Sequence, residues 1–374
     1  MSKWEEKRLE DIIDVDPPVK LKKGEAYPFI DIDKVSPTRR SVTNEEVKVY
    51  DGQSSSKFCD GDTVFSRITP CLENRKIAKV SIDGDAAFGS TEFYVFRAKK
   101  KKADARFTYY LTSSDAVVLP AINSMTGASG RQRADKRFIQ RLKLNLPELP
   151  TQERIADILS AYDDLIEANN RRIELLEQTA QELYKEWFVR FRFPGYENAK
   201  FEDGIPEGWE CCRLGKILSF GTGKTRPKSG ETYPVYGGNG ILDYCNNYNS
   251  ENAIIIGRVG VYCGTVYYEP DKCWISDNAL FAESKNSMHF YNYYLLKNMN
   301  LNARQIGTGQ PLITQGLLNK IRILLPAESL MMKYNQIASE LLKQQDLLRK
   351  MNVNIAAQRD MLLPRLMSGK LEVN

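Results

Sequence analysis

The chain of 374 residues contains one histidine, and its seven cysteines include no CxxC pair. Scattered at 59, 71, 211, 212, 245, 263 and 273, the cysteines frame neither a zinc site nor a disulfide set, and they read as reduced thiols. A Ser-His-Asp arrangement would have to be built on His289 alone. That residue, in Ser287-Met288-His289-Phe290-Tyr291, is better suited to packing where a tyrosine-rich helix begins. No apolar run reaches the roughly eighteen residues that span a bilayer. The stretch Met1 to Glu10 is charged and carries Trp4 instead of an apolar signal core. The expectation is a cytoplasmic protein with no membrane contact.

Complete cofactor motifs are also missing. Asp16-Pro17-Pro18-Val19 resembles the loop with which amino-methyltransferases hold a flipped adenine, but Val19 stands where the stacking aromatic is needed, so a plain turn is expected. Gly221-Thr222-Gly223-Lys224-Thr225 ends like a phosphate-binding loop, but GxxxxGK[ST] requires glycine at 218, where the chain has Leu218. Asp277 with Glu283-Ser284-Lys285 is a charge set common by chance in a chain this polar. No catalytic residue, metal site or bound cofactor is expected.

What the chain does contain is an internal repeat of about half its length. Gly130-Arg131-Gln132-Arg133 through Leu146-Pro147 aligns without a gap on Gly309-Gln310-Pro311-Leu312 through Leu325-Pro326. In each copy a glycine-containing loop leads through a short turn into alternating apolar residues, Leu142, Leu144 and Leu146 or Ile321, Ile323 and Leu325, the pattern of a half-buried strand. The front ends echo as well: Trp4-Glu5-Glu6-Lys7-Arg8-Leu9 resembles Trp209-Glu210-Cys211-Cys212-Arg213-Leu214.

A long helix is expected after each proline. The first should open with Thr151 as its cap and place Ile155, Leu159, Tyr162, Ile166, Asn169, Ile173, Leu176, Ala180, Leu183 and Trp187 at heptad spacing. About 39 residues at 1.5 Å each make a rod of roughly 58 Å. The second should run from Leu330 to Met367, with Tyr334, Ile337, Leu341, Leu348, Ile355, Leu362 and Leu366 on one face and Gln344 or Gln345 interrupting it. Asn169 on the seam either fixes register by pairing with a polar group opposite or faces solvent. The fold expected is α+β: two mixed α/β domains, each followed by a long helix, the helices packed as an antiparallel coiled coil with pseudo-twofold symmetry. The boundaries are 1–150, 151–192, 193–327 and 328–374.

A net charge of +5 permits a polyanionic partner without demanding one, so the distribution of charge matters more than its total. The loop from Arg67 through Thr69, Asn74 and Lys76, and the loop ending in Arg131, Gln132 and Arg133, carry side chains suited to phosphates and base edges. The second half offers Lys224 and Arg226 in a basic loop, Arg258 and Tyr262 in a glycine-spaced turn, and Thr308 and Gln310 in the repeated glycine loop. Most loop glycines merely permit a turn. Recurrence of the same loop in both halves favours function.

At these residues the chain resembles specificity subunits of type I restriction-modification enzymes, over essentially its whole length. Leu149-Pro150-Thr151-Gln152-Glu153-Arg154-Ile155-Ala156-Asp157-Ile158-Leu159-Ser160, continuing to Trp187-Phe188-Val189, is similar to the family's central helix, and Leu362-Leu363-Pro364-Arg365-Leu366 to its C-terminal one. Phe65 to Asn74, Gly257 to Gly260 and Trp274 to Leu280 are similar to its target-recognition motifs. Arg75 departs from the pattern, which has a small residue, usually glycine, at that place. The resemblance implies that each domain recognises half of a bipartite, asymmetric double-stranded DNA target, while the helices set the spacer. It also implies two modification (methyltransferase) subunits docked on the helices around Tyr162, Ile166, Trp187, Phe188, Leu348 and Leu362, joined by restriction subunits. S-adenosylmethionine, ATP and Mg would then belong to those partners. A nuclease or methyltransferase fusion acting on DNA and a coiled-coil scaffold with two protein-binding adaptor domains are the competing readings.

Overall fold

The computed structural model describes residues 4–43, 46–128, 130–305 and 311–373. They form two compact units, one drawn from 1–169 and 351–374 and the other from 170–350, so each long helix contributes one part of its length to each unit.

In the first unit, alternation along two central strands decides which side chains enter which core. Thr63–Ser66 pairs antiparallel with Phe93–Ala98 inside a five-stranded sheet completed by Ile13–Val15, Ile77–Ser81 and Ser41–Thr43. Successive residues of a strand face opposite sides. Val64 and Val95 therefore join Ile30, Phe58 and Val80 in one core, while Phe65 and Phe96 join the other. The first core includes residues of a four-stranded sheet, Val47–Val49, Ala26–Ile30, Ala87–Gly89 and Ser56–Phe58. The second packs against the helices Ala105–Ser113 and Asp115–Asn123 and against Ile155, Ala156 and Leu159 of the central helix.

The second unit is built on a six-stranded sheet in the order Leu218–Thr222, Ala279–Ser284, Ser250–Gly257, Val266–Ile275, Tyr233–Gly237, Gly240–Cys245. Ile254 and Ile256 face a core shared with the helix His289–Asn298 and with Tyr184, Trp187, Phe188 and Tyr334, whereas Ile255 faces a smaller cluster around Tyr236 and Ile275. His289 begins its helix as expected. Its Nε2 is buried without a partner, the ring lies against Tyr268 and Phe290, and burial holds its pKa below the usual histidine value.

A histidine kept neutral by folding is protonated first in the unfolded chain, so its contribution to stability is intact above about pH 6.5 and falls as the pH drops below it. We expect the urea midpoint of the chain to fall more steeply on acidification than that of His289→Phe; parallel pH profiles would remove His289 as the cause.

The repeat read from the sequence recurs as structure. Trp4–Arg8 pairs antiparallel with Lys143–Pro147, and Glu210–Arg213 pairs in the same sense with Arg322–Leu325, so the echoed front and rear segments close a two-stranded sheet in each unit.

The central helix runs Leu149–Phe188 and the C-terminal helix Glu328–Met367, each of 40 residues. Both start two residues before the expected position. At the first, the Glu148 carbonyl accepts from Thr151 N and Gln152 N at 3.0 Å, and Pro150 sits in the first turn, where its missing N–H costs nothing. The halves pack antiparallel within each unit. Asp163 pairs with Arg359, and Asn169 Nδ2 donates to Asn352 Oδ1 at 2.9 Å, so Asn169 does meet a polar group opposite. In the second unit Tyr334 donates to the Ala180 carbonyl at 2.8 Å and Gln345 Nε2 to Glu177 at 3.3 Å.

Charged and amide groups thus occupy buried seam positions: Asn169 and Gln345, which the heptad reading places there, and Asp163, which it skips. Ile337 is exposed, and Ala338 and Leu342 occupy the core in its place.

Candidate nucleic-acid interface

Arg67 follows the end of the central strand Thr63–Ser66, where its backbone is fastened on both sides. Arg67 N donates to the Glu92 carbonyl at 2.9 Å, and the Arg67 carbonyl accepts from Ala134 N at 2.9 Å. Two residues on, Thr69 N donates to the Gln132 carbonyl at 3.0 Å, and Ile68 forms a bridge with Arg133. This stitching holds three loops together: the one after Arg67, the one ending at Ala134, and the one at 90–92.

The same stitches recur in the second unit. Arg258 N donates to the Asn278 carbonyl at 3.1 Å, the Arg258 carbonyl accepts from Ile313 N at 2.9 Å, Gly260 N donates to the Pro311 carbonyl at 3.2 Å, and Val259 bridges Leu312. Arg258 therefore corresponds to Arg67, Leu312 to Arg133 and Asn278 to Glu92. Gly257 is required here, because a Cβ on it would come within 2.5 Å of the Tyr262 carbonyl oxygen and 2.7 Å of that of Gly238.

The side chains around the stitches are polar and accessible. In the first unit Arg131 stands exposed on a turn with left-handed glycines at 127 and 130, and Gln132 is half-buried. Arg133 grips Glu92 with both ends of a fork, Nε to Oε2 at 2.9 Å and Nη2 to Oε1 at 2.5 Å, while Arg67 Nε reaches the same Oε2 at 3.3 Å. The Arg67 guanidinium lies over the ring of Tyr94, 5.3 Å from its centroid, and the Tyr94 hydroxyl donates to the Ala134 carbonyl at 2.8 Å. Beside Arg67 is an open depression of about 520 Å³ lined by Asp16, Pro17, Lys57 and Thr91, so the Asp16 turn is a wall of this surface.

In the second unit Val261 is 87% exposed and Tyr262 is exposed beside it, while Arg258 Nη1 donates to the Asp277 carbonyl at 3.3 Å. Lys224 is exposed next to Gly223, whose backbone packs on Ser276. The following regular element is the strand Tyr233–Gly237, where a phosphate-binding loop would begin a helix.

Burial or pairing engages several of the expected side chains within the protein. Thr69 is buried, and its Oγ1 accepts from Gln132 N, so it fastens the loop and cannot reach a base. The Lys76 ammonium donates to the Ile32 carbonyl at 3.0 Å and is turned toward the protein. Arg226 is paired with Asp243, whose carboxyl is held down to about 2, first by the Ser229 hydroxyl and a backbone N–H and then by Arg226 itself. Trp187, Phe188 and Leu348 are buried, the first two in the second unit's core, and offer no surface for docking; Tyr162, Ile166 and Leu362 are half-buried.

Asn74 is exposed on its loop. Arg75, where a small residue was expected, has φ +52, the left-handed region that favours glycine, and its guanidinium is tied to the Ser113 carbonyl and Asp115. Thr308 and Gln310 lie outside the described residues. Glu92 and Tyr94 escaped the sequence reading altogether.

Among the described residues no group of three or more His, Cys, Asp or Glu could hold a metal, and no helix is long and apolar enough to cross a membrane. The sequence model of the type I restriction modification DNA specificity domain matches residues 1–178 and 206–352. The chain belongs to that family. The type I restriction enzyme MjaIX specificity subunit of Methanocaldococcus jannaschii is 25% identical over 72% of this chain and 69% of its own length. From the same organism, the provisionally assigned MjaX specificity subunit is 27% identical over 99% of this chain and 94% of its own. The crystal structure of a type I restriction-modification system S subunit from M. genitalium shares the fold, with a TM-score of 0.55 at 17% identity over 98% of this chain and 96% of that one. As a type I specificity subunit, this chain is a DNA-recognition protein.

Proposed function

We propose that each unit reads one half of a bipartite, asymmetric DNA target, and that the chain directs the chemistry of partner subunits without catalysing any itself. The observation that carries this reading is the recurrence of one arginine-bearing loop fastened by the same backbone hydrogen bonds in both units, with different side chains around it. A shared frame with unlike readers suits two unlike half-sites. Two modification subunits would dock on the paired helices through exposed positions such as Leu165, Leu175, Leu347 and Val353, and restriction subunits would join them. S-adenosylmethionine, ATP and Mg would be bound by those partners, in the cytoplasm.

The test is methylation sequencing of DNA from cells carrying this chain with its modification subunit, against cells lacking the chain. One bipartite methylated-adenine motif is expected. No change, with the modification subunit shown to be active, would point to a protein-binding scaffold instead.

In the same assay Arg131→Ala should weaken or relax the first half-site only, by about 1–3 kcal/mol for a lost bidentate base contact. Equal weakening of both half-sites would make Arg131 a general phosphate contact.

A further inference from the structure

We propose that Arg133, aimed by Glu92, reads a guanine in the first half-site, which makes Glu92 a positioning residue for specificity although it carries the wrong charge for DNA. The inference rests on the reading above and adds a base and a mechanism to it. A guanidinium has five N–H groups in a fixed plane. The Glu92 carboxylate engages the Nε edge of Arg133, at 2.9 and 2.5 Å, which leaves the two N–H groups of Nη1 and one of Nη2 at the outer end of a half-exposed side chain. Two parallel donors match the adjacent O6 and N7 acceptors that guanine alone presents in the major groove.

The mount for this fork is stiff. The backbone of Arg133 is bridged to Ile68 and to Thr126, Glu92 is mostly buried, and Arg67 supports Oε2 from the other side while lying on Tyr94. Both arginines hold the Glu92 carboxyl below its usual range, Arg133 most strongly, so the acceptor stays charged. A mobile arginine would favour any phosphate, whereas one locked in plane favours a planar pair of acceptors. The second unit provides an internal control: Leu312 and Asn278 stand at the corresponding places, so among the described residues that unit lacks the device.

The experiment uses the chain assembled with its modification subunits. Binding to its own target is compared with binding to targets in which single guanines of the first half-site are replaced by 7-deazaguanine, which lacks the N7 acceptor. At one guanine we expect roughly a tenfold or greater loss for the wild type and almost none for Glu92→Gln or Arg133→Ala. Glu92→Gln should bind unrelated DNA as tightly as the wild type or more so, having lost a negative charge, and its methylation motif should become degenerate at that guanine with the second half-site unchanged. Unaltered specificity in both variants would overturn the proposal, as would even weakening at every position. Absence of any bipartite motif for the wild type would instead overturn the two-reader function itself, and this proposal with it.

Discussion

Arg359→Ala destabilises the first unit by about 3–5 kcal/mol, the cost of stranding a buried charge. The carboxylate left behind is Asp163, whose side chain is 3% exposed; Arg359 is 23% exposed, so solvent screens the pair only in part. Asp163 retains one partner, the Tyr110 hydroxyl at 2.5 Å, which can satisfy an oxygen but cannot neutralise it. Burial and then the Asp163 charge push the Tyr110 phenol well above its usual range, so that hydroxyl remains a donor throughout the physiological range. Asp163→Leu combined with Arg359→Leu should recover most of the loss, since removing both charges also removes the desolvation penalty. The measurement is urea unfolding followed by amide exchange in the helix Ala105–Ser113, because two units need not melt in a single step. A loss below about 1 kcal/mol for the single variant would mean that the pair behaves as a solvated surface bridge.

Tyr334→Ala is expected to have a comparable effect in the second unit, about 3–5 kcal/mol for emptying a large aromatic site. Tyr334 is fully buried, with its ring against Tyr184, Trp187, Phe188, Tyr291 and Tyr294. Aromatic edge-to-face contacts add to the area term, and the crowded cluster cannot collapse around a hole without breaking several of them. Tyr334→Phe keeps the ring and loses only the bond to the Ala180 carbonyl, so it should cost about 1 kcal/mol. Near-equal losses for the two variants, measured by thermal unfolding, would assign the stabilisation to the hydroxyl instead of the packing.

The sequence made the periodic and repeated features legible. Heptad spacing located the starts of both long helices to within two residues, and alternation located the strands before each proline, because burial on one face repeats every 3.6 or 2 residues. Arg75 is instructive: the expectation of a small residue pointed to the strained backbone that the structure has there. Contacts that join distant segments left no such trace. Glu92 lies 41 residues from Arg133 and 25 from Arg67, in a stretch with no pattern of its own, so its role emerges only when the sheet brings the three together. The heptad rule also follows apolar residues, and therefore passed over Asp163, which the fold buries against Arg359. The family resemblance gave Trp187 and Phe188 to a docking surface, whereas the fold buries both in the second unit's core.

The fasteners of the reading loops, from Arg67 to Ala134 and from Arg258 to Ile313, are made by main-chain amides and carbonyls. Every residue type except proline supplies the same amide and carbonyl. The outward side chains beside the fasteners can therefore be exchanged with little effect on the frame, since surface substitutions away from caps and networks typically change stability by about half a kilocalorie per mole or less. On the two-reader function proposed above, single substitutions at Arg131 or Tyr262 would open new target preferences without a compensating change in the frame, whereas replacing Arg133 would leave the Glu92 carboxylate with Arg67 as its cation.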